Sequence, residues 1–165
     1  MAITLSNRIR QTITDNPNVG GVRHDAYTLV IQRYQQAFQD GYYIECISLM
    51  ESIITDRMES LANEISSSRK YSYKTMEKLL DYLKGENQKD FLNDIILQCL
   101  DRIGMWKNGR NMAIHEMAKL PDDLTESFQT RYNRLEALAI EGYKLFRELD
   151  NSIRKLRNQQ KFNNN

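Results

Sequence analysis

Between Tyr43 and Ser66 the apolar residues Ile47, Met50, Ile54, Met58, Leu61 and Ile65 recur at steps of three or four. That period puts them on one arc of an α-helix, because side chains three and four apart lie on the same helical face. A helix with such a stripe has to bury it against other elements. Glu51 falls inside the same arc. A buried carboxylate cannot stay unpaired. It either sits at the edge of the arc and reaches water, or it meets a cation from another helix, for which Arg110 is the candidate. Asp56 and Arg57 read as lying on the flanks of this helix, as a structural ion pair or as a second support for a site.

The rest of the chain reads the same way. Seven glycines and two prolines in 165 residues leave few places to break a helix. His24 to Asp40 forms a helix with Tyr27, Val30, Ile31, Tyr34 and Phe38 on one stripe, and Gly41 ends it. Thr75 to Lys84 forms a short helix through Met76, Leu79, Leu80 and Leu83, stopped by Gly85. Lys89 to Lys107 forms another through Phe91, Leu92, Ile95, Ile96, Cys99, Leu100, Ile103 and Trp106, with Asn108-Gly109 as its stop. A further helix spans Asn111 to Leu120. Pro121-Asp122-Asp123 closes that helix and opens the last one, where Leu135, Leu138, Gly142, Leu145, Leu149 and Leu156 keep near-heptad spacing. The expected fold is all-α: one antiparallel helical bundle whose second and C-terminal helices are long. Residues 1–22 read as an N-terminal arm, with Ile3, Leu5, Ile9 and Ile13 on a short amphipathic helix broken at residues 16–21. Residues 23–157 form the helical domain, and 158–165 a disordered polar tail.

A formal charge of +1 gives no global field to gather nucleic acid or an anionic surface, so any polyanion has to be held by local charge. No apolar run is long enough to span a membrane, and Met1 to Thr14 carries polar residues throughout, unlike a signal peptide. Cys46 and Cys99 sit among apolar neighbours and read as reduced core thiols of a cytoplasmic protein. No Cys/His cluster has zinc-ligand spacing, so neither metal nor cofactor is expected.

The stretch Trp106-Lys-Asn-Gly-Arg110-Asn111-Met-Ala-Ile-His115-Glu carries the chemistry. Arginine is a permanent cation whose planar fork suits phosphate. Histidine moves a proton near neutral pH. On a helix beginning at Asn111, residues Asn111, His115 and Lys119 stack at i, i+4 and i+8 on the polar side. Arg110 would fall in the apolar arc if the helix included it. Gly109 is expected to bend the chain, so that Arg110 enters the helix with its side chain crossing towards His115. The plain alternative is a solvated polar face. The run Ser66-Ser67-Ser68-Arg69-Lys70 reads as a solvated loop or as part of an RNA-contacting rim, with Tyr71 and Tyr73 as stacking faces. Lys107 is a further candidate for substrate contact.

These residues carry a resemblance. Arg110-Asn111-Met-Ala-Ile-His115 resembles the R-x4-6-H motif of HEPN domains, including the frequent Asn after Arg. Leu49-Met-Glu51-Ser-Ile-Ile-Thr-Asp56-Arg57-Met-Glu-Ser-Leu61 resembles the acidic second long helix of HEPN proteins related to abortive-infection systems. The helix order agrees over residues 23–157. The resemblance implies a HEPN-like bundle and a metal-independent endoribonuclease of a phage-defence or toxin–antitoxin system. It also implies an antitoxin protein or regulatory RNA as a further partner. Met117 stands where toxins modified by a nucleotidyltransferase antitoxin carry Tyr, which favours the abortive-infection or stand-alone type.

RNA carries its own nucleophile, the 2′-hydroxyl. Cleavage then needs a proton acceptor, a proton donor and a cation at the phosphate. One chain offers a single suitable histidine, so a homodimer with a shared cleft is expected. In it His115 moves protons and Arg110 holds phosphate. Asn111 orients the imidazole or the substrate, Glu51 fixes Arg110, and Asp56 and Lys119 support the site. Two alternatives belong to other classes. One is a non-catalytic HEPN-like nucleotide- or RNA-binding or assembly module. The other is a purely structural bundle that dimerises through its long helices.

Overall fold

The computed structural model describes residues 19–88, 91–118 and 127–163. The expected helix at Ile3–Ile13 and the residues Lys119 and Pro121–Asp123 lie outside them. Among the described residues the chain is all-helical, with no strand: α1 (Val19–Gln39), α2 (Tyr43–Ile65), α3 (Met76–Leu83), α4 (Asp94–Ala118) and α5 (Phe128–Asn163). A single 3₁₀ turn at Glu86–Gln88 lies between α3 and α4.

The stripe of α2 is the centre of the bundle. Ile47, Met50, Ile54, Met58 and Leu61 are fully buried, and they meet Leu145 and Leu149 of α5, Leu79 and Leu83 of α3, and Ile96, Leu100 and Ile103 of α4 in one core. The broadest contacts are those of α5 with α2 and with α4. Gly41 ends α1 with φ +76°, and the Tyr132 hydroxyl of α5 donates to its carbonyl at 2.9 Å. A side chain there would meet that hydroxyl, so both backbone and packing call for glycine. Cys46 and Cys99 are free and buried. Desolvation pushes the Cys46 thiol up to about 11 and the Cys99 thiol up to about 12, as befits inert core thiols.

Four expectations are corrected. First, α4 starts at Asp94 rather than Lys89, where the Asn93 carboxamide oxygen accepts from the Ile96 N–H at 3.0 Å. Phe91 and Ile95 are therefore off the buried stripe and exposed. Second, α4 runs unbroken through Asn108, Gly109 and Arg110. A glycine inside a helix costs only about 1 kcal/mol relative to alanine, and here it lets α5 approach: a Cβ at Gly109 would stand 3.3 Å from Leu138 Cδ2. Third, Arg57 is not on a flank but buried, paired with Asp150 of α5. Fourth, α1 takes in Gly20 and Gly21, and α5 carries residues 158–163 as helix, where an arm and a disordered tail were expected.

Gly142 of α5 marks a tight crossing with α2 and α4. A Cβ there would stand 2.8 Å from Trp106 Cζ2 and 3.2 Å from Met50 Cβ. The indole is itself fixed, because its Nε1 donates to the Leu138 carbonyl at 2.9 Å. Gly142→Ala is expected to destabilise the fold by about 1–3 kcal/mol through overpacking, read as a lower urea midpoint.

Candidate functional site

Arg110 faces α2. Its Nη1 donates to Glu51 Oε2 at 2.7 Å, and its Nη2 lies 2.5 Å from Glu51 Oε1. This is the bidentate fork that fits guanidinium to carboxylate. The pair is largely enclosed, at 15% side-chain exposure for Arg110 and 33% for Glu51. Arg110 Nε is buried without a hydrogen-bond partner among the described residues. Glu51 thus stands in the apolar arc of α2 because a cation from α4 meets it there.

His115 stands elsewhere on α4. Five residues of continuous helix turn through about 500°, so Arg110 and His115 point about 140° apart and sit about 7.5 Å apart along the axis. The expected crossing of the Arg110 side chain towards His115 does not occur within one chain; Arg110 turns inward to Glu51 while His115 is exposed. Asn111, one helical turn before His115, is half-buried on its side of the helix. His115 belongs to an outer stripe of Gln98, Asp101, Met105, Asn108, Met112 and His115, all exposed and spaced alternately three and four apart. Met105 and Met112 are 65% and 63% exposed. Only the two methionines of this stripe are apolar, so it is a mixed polar surface rather than the apolar a/d seam of a coiled coil.

The C-terminal end of α4 is tied to α5. Glu116 accepts a short charged hydrogen bond from Arg134, and its carbonyl accepts from Arg131 Nη1 at 3.1 Å. Neither arginine stood out in the sequence. The signal was their i, i+3 spacing in Thr130-Arg-Tyr-Asn-Arg134, which puts two cations on one face beside the histidine's neighbour. Lys107, one turn before Asn111, is largely covered and pairs with Glu77 of α3 at 3.3 Å. Between these helices runs an open groove of about 680 Å³, lined by Glu77, Asp81, Lys84, Asp101, Lys107 and Asn108 among others. Its three carboxylates outnumber its two ammonium groups, which disfavours a polyanion inside it.

The other candidates separate. Asp56 turns to α1, where it accepts a short hydrogen bond from the Tyr27 hydroxyl; it is not brought to Arg110. Five residues of α2 part it from Glu51 by the same 140°. Tyr71 is not a free face, because its ring stacks on Tyr82 with centroids 3.8 Å apart. Tyr73 is 95% exposed, and Arg69 and Lys70 are exposed beside it. Among the described residues no cluster of three or more His, Cys, Asp or Glu side chains is placed to hold a metal ion, and no helix is long and apolar enough to cross a membrane. No protein-family model, curated protein or solved structure matches the chain.

Proposed function

We propose that the chain is an endoribonuclease of the HEPN type, cutting RNA without a metal at a site completed by two copies. The carrying observation is His115. It is an exposed imidazole on an outer stripe with two exposed methionines, one helix turn from Asn111 and on the helix that carries a pinned arginine. Packing the His115 end of that stripe against its copy, about a two-fold axis passing close to His115, would bring two imidazoles into one cleft. One takes the proton of the 2′-hydroxyl, whose oxygen attacks phosphorus. The bond to the 5′-oxygen breaks, and the second imidazole protonates that leaving oxygen. The products end in a 2′,3′-cyclic phosphate and a 5′-hydroxyl. Glu51 uses two of Arg110's five N–H donors. Of the remaining three, the Nε–H is buried, so the one free N–H on each of Nη1 and Nη2 is assigned to the phosphate.

One observation favours a second reading, a non-catalytic nucleotide- or RNA-binding or assembly module. The charge of Arg110 is already balanced by Glu51 within the chain. A single assay separates the two. The full chain is incubated with single-stranded RNA in chelator, beside the same RNA carrying 2′-O-methyl groups, and the ends are mapped. Cyclic phosphate ends from the first and an intact second RNA are expected. Cleavage of the methylated RNA, or activity only without chelator, overturns the mechanism. RNA that is bound but uncut selects the module. A defence or toxin role, with an antitoxin protein or regulatory RNA as restraint, follows from the same proposal.

A further inference from the structure

We propose that the α2–α3 loop, residues 66–75, is a docking platform for single-stranded nucleic acid, with the Tyr73 ring as the base-stacking face and Arg69, Lys70 and Lys74 as the phosphate contacts. It uses none of the residues assigned to bond breaking, and it stands whether or not the chain cuts RNA.

Tyr73 is presented rather than loose. Its N–H donates to Glu59 Oε2 at 2.7 Å, and its backbone is held at φ +60°, in the left-handed region that a tyrosine seldom enters. The loop beneath it is anchored by one residue of α2: Asn63 Oδ1 accepts from the Tyr71 N–H at 2.9 Å, and Asn63 Nδ2 donates to Ser72 Oγ at 3.2 Å. The Tyr71 ring is clamped on Tyr82. A ring displayed on a fixed backbone loses little freedom when a base stacks on it. Every base offers a π-face, so such stacking holds single strands with little regard to sequence.

The surrounding charge suits a polyanion. Arg69, Lys70, Lys74 and Lys78 are all exposed; against these four cations stand two carboxylates, Glu77 in the same stretch and Glu59 of α2, which holds the Tyr73 N–H. This local excess contrasts with a whole-chain charge of +1. Two other exposed aromatic residues lack it: in the sequence Tyr42 lies between Asp40 and Glu45, and Phe91 between Asp90 and Asp94. Lys107 meets Glu77 and Lys84 meets Asp101, so α3 runs antiparallel to α4 and its N-terminal end, next to Tyr73, points towards the His115 end of α4. A strand held on the loop is thereby directed to the end of the bundle where cleavage is proposed.

The test is fluorescence anisotropy of the full chain with a labelled 2′-O-methyl oligouridylate, which cannot be cut through its 2′-oxygens. Binding is expected, weakened about tenfold by Tyr73→Ala and retained by Tyr73→Phe. Lys74→Ala is expected to flatten the salt dependence by about one phosphate contact. Thermal melting of Tyr73→Ala, a change at a fully exposed ring, is expected to match the parent. No binding by the parent chain overturns the proposal, as does equal binding by Tyr73→Ala. Displacement by polyglutamate as readily as by unlabelled oligouridylate of equal charge also overturns it, since stacking then contributes nothing. Because the probe is uncleavable, a Tyr73-dependent signal from a chain that leaves ordinary RNA intact keeps the platform and removes only the nuclease reading.

Discussion

Asp150→Ala is expected to lower the unfolding free energy by about 3–5 kcal/mol, the usual cost of orphaning a buried charge. Arg57 of α2 and Asp150 of α5 face each other at ion-pair distance with only 7% and 10% of their side chains exposed. The Tyr27 ring lies over the guanidinium, with its centroid 5.5 Å away, and the guanidinium's own Nε has no hydrogen-bond partner among the described residues. Water has little access to take over from the lost carboxylate. Arg154 also touches Asp150, at 2.9 Å, but its side chain lies mostly in solvent and returns there freely. The pair itself need not stabilise the fold, because desolvating two ions offsets most of their attraction. Replacing both by apolar residues, Arg57→Met with Asp150→Leu, is therefore expected to recover most of the loss. Urea unfolding of the parent, the single and the double variant checks both halves. A single-variant loss under about 1 kcal/mol, the range of surface pairs, would show that the pair is hydrated after all.

The same pair shows what was and was not legible in the sequence. Ile47, Met50, Ile54, Met58 and Leu61 announced the buried face of α2, and they are its buried face. Glu51 stood out because it interrupts that face, and the search for its cation led to Arg110. Arg57 stands seven residues after Met50, in the same arc, and the same logic applied there would have asked for a buried carboxylate. Its neighbour Asp56 obscured this by offering an apparent local partner, although side chains one apart in a helix diverge by about 100°. The break at Asn108-Gly109 failed for a different reason. Local propensity disfavours glycine by about 1 kcal/mol, but Trp106 and Ala113 on either side of it are buried in the core. Continuing the helix gains more than stopping it. That continuity moved Arg110 from a helix entry to the inner face and separated it from His115. The spacing of Arg131 and Arg134 put two cations on one face of α5, but that Glu116 is what Arg134 meets appears only in three dimensions.

On the proposed mechanism, His115→Ala is expected to lower RNA cleavage by about 10²–10⁴, the usual contribution of a positioned proton-transfer group, while changing stability by less than about 0.5 kcal/mol. The second half follows from placement: the imidazole is exposed and has no hydrogen-bond partner among the described residues, so folding does not rely on it. Glu51→Ala is expected to behave differently. It frees an enclosed guanidinium, so both cleavage and stability fall, the latter by about 1–3 kcal/mol for a charged group left unpaired. Glu51→Gln keeps an acceptor oxygen on Arg110 and recovers part of that stability. The contrast separates a residue that acts from one that positions. The proposed composite site also requires mixed dimers to respond. Combined with an excess of His115→Ala chains, the parent protein should lose activity faster than its own dilution, because each heterodimer carries one imidazole where two are needed. Activity that falls only in proportion to the parent chain would mean that each copy works alone, and the composite site would have to be abandoned even if His115 itself proved essential.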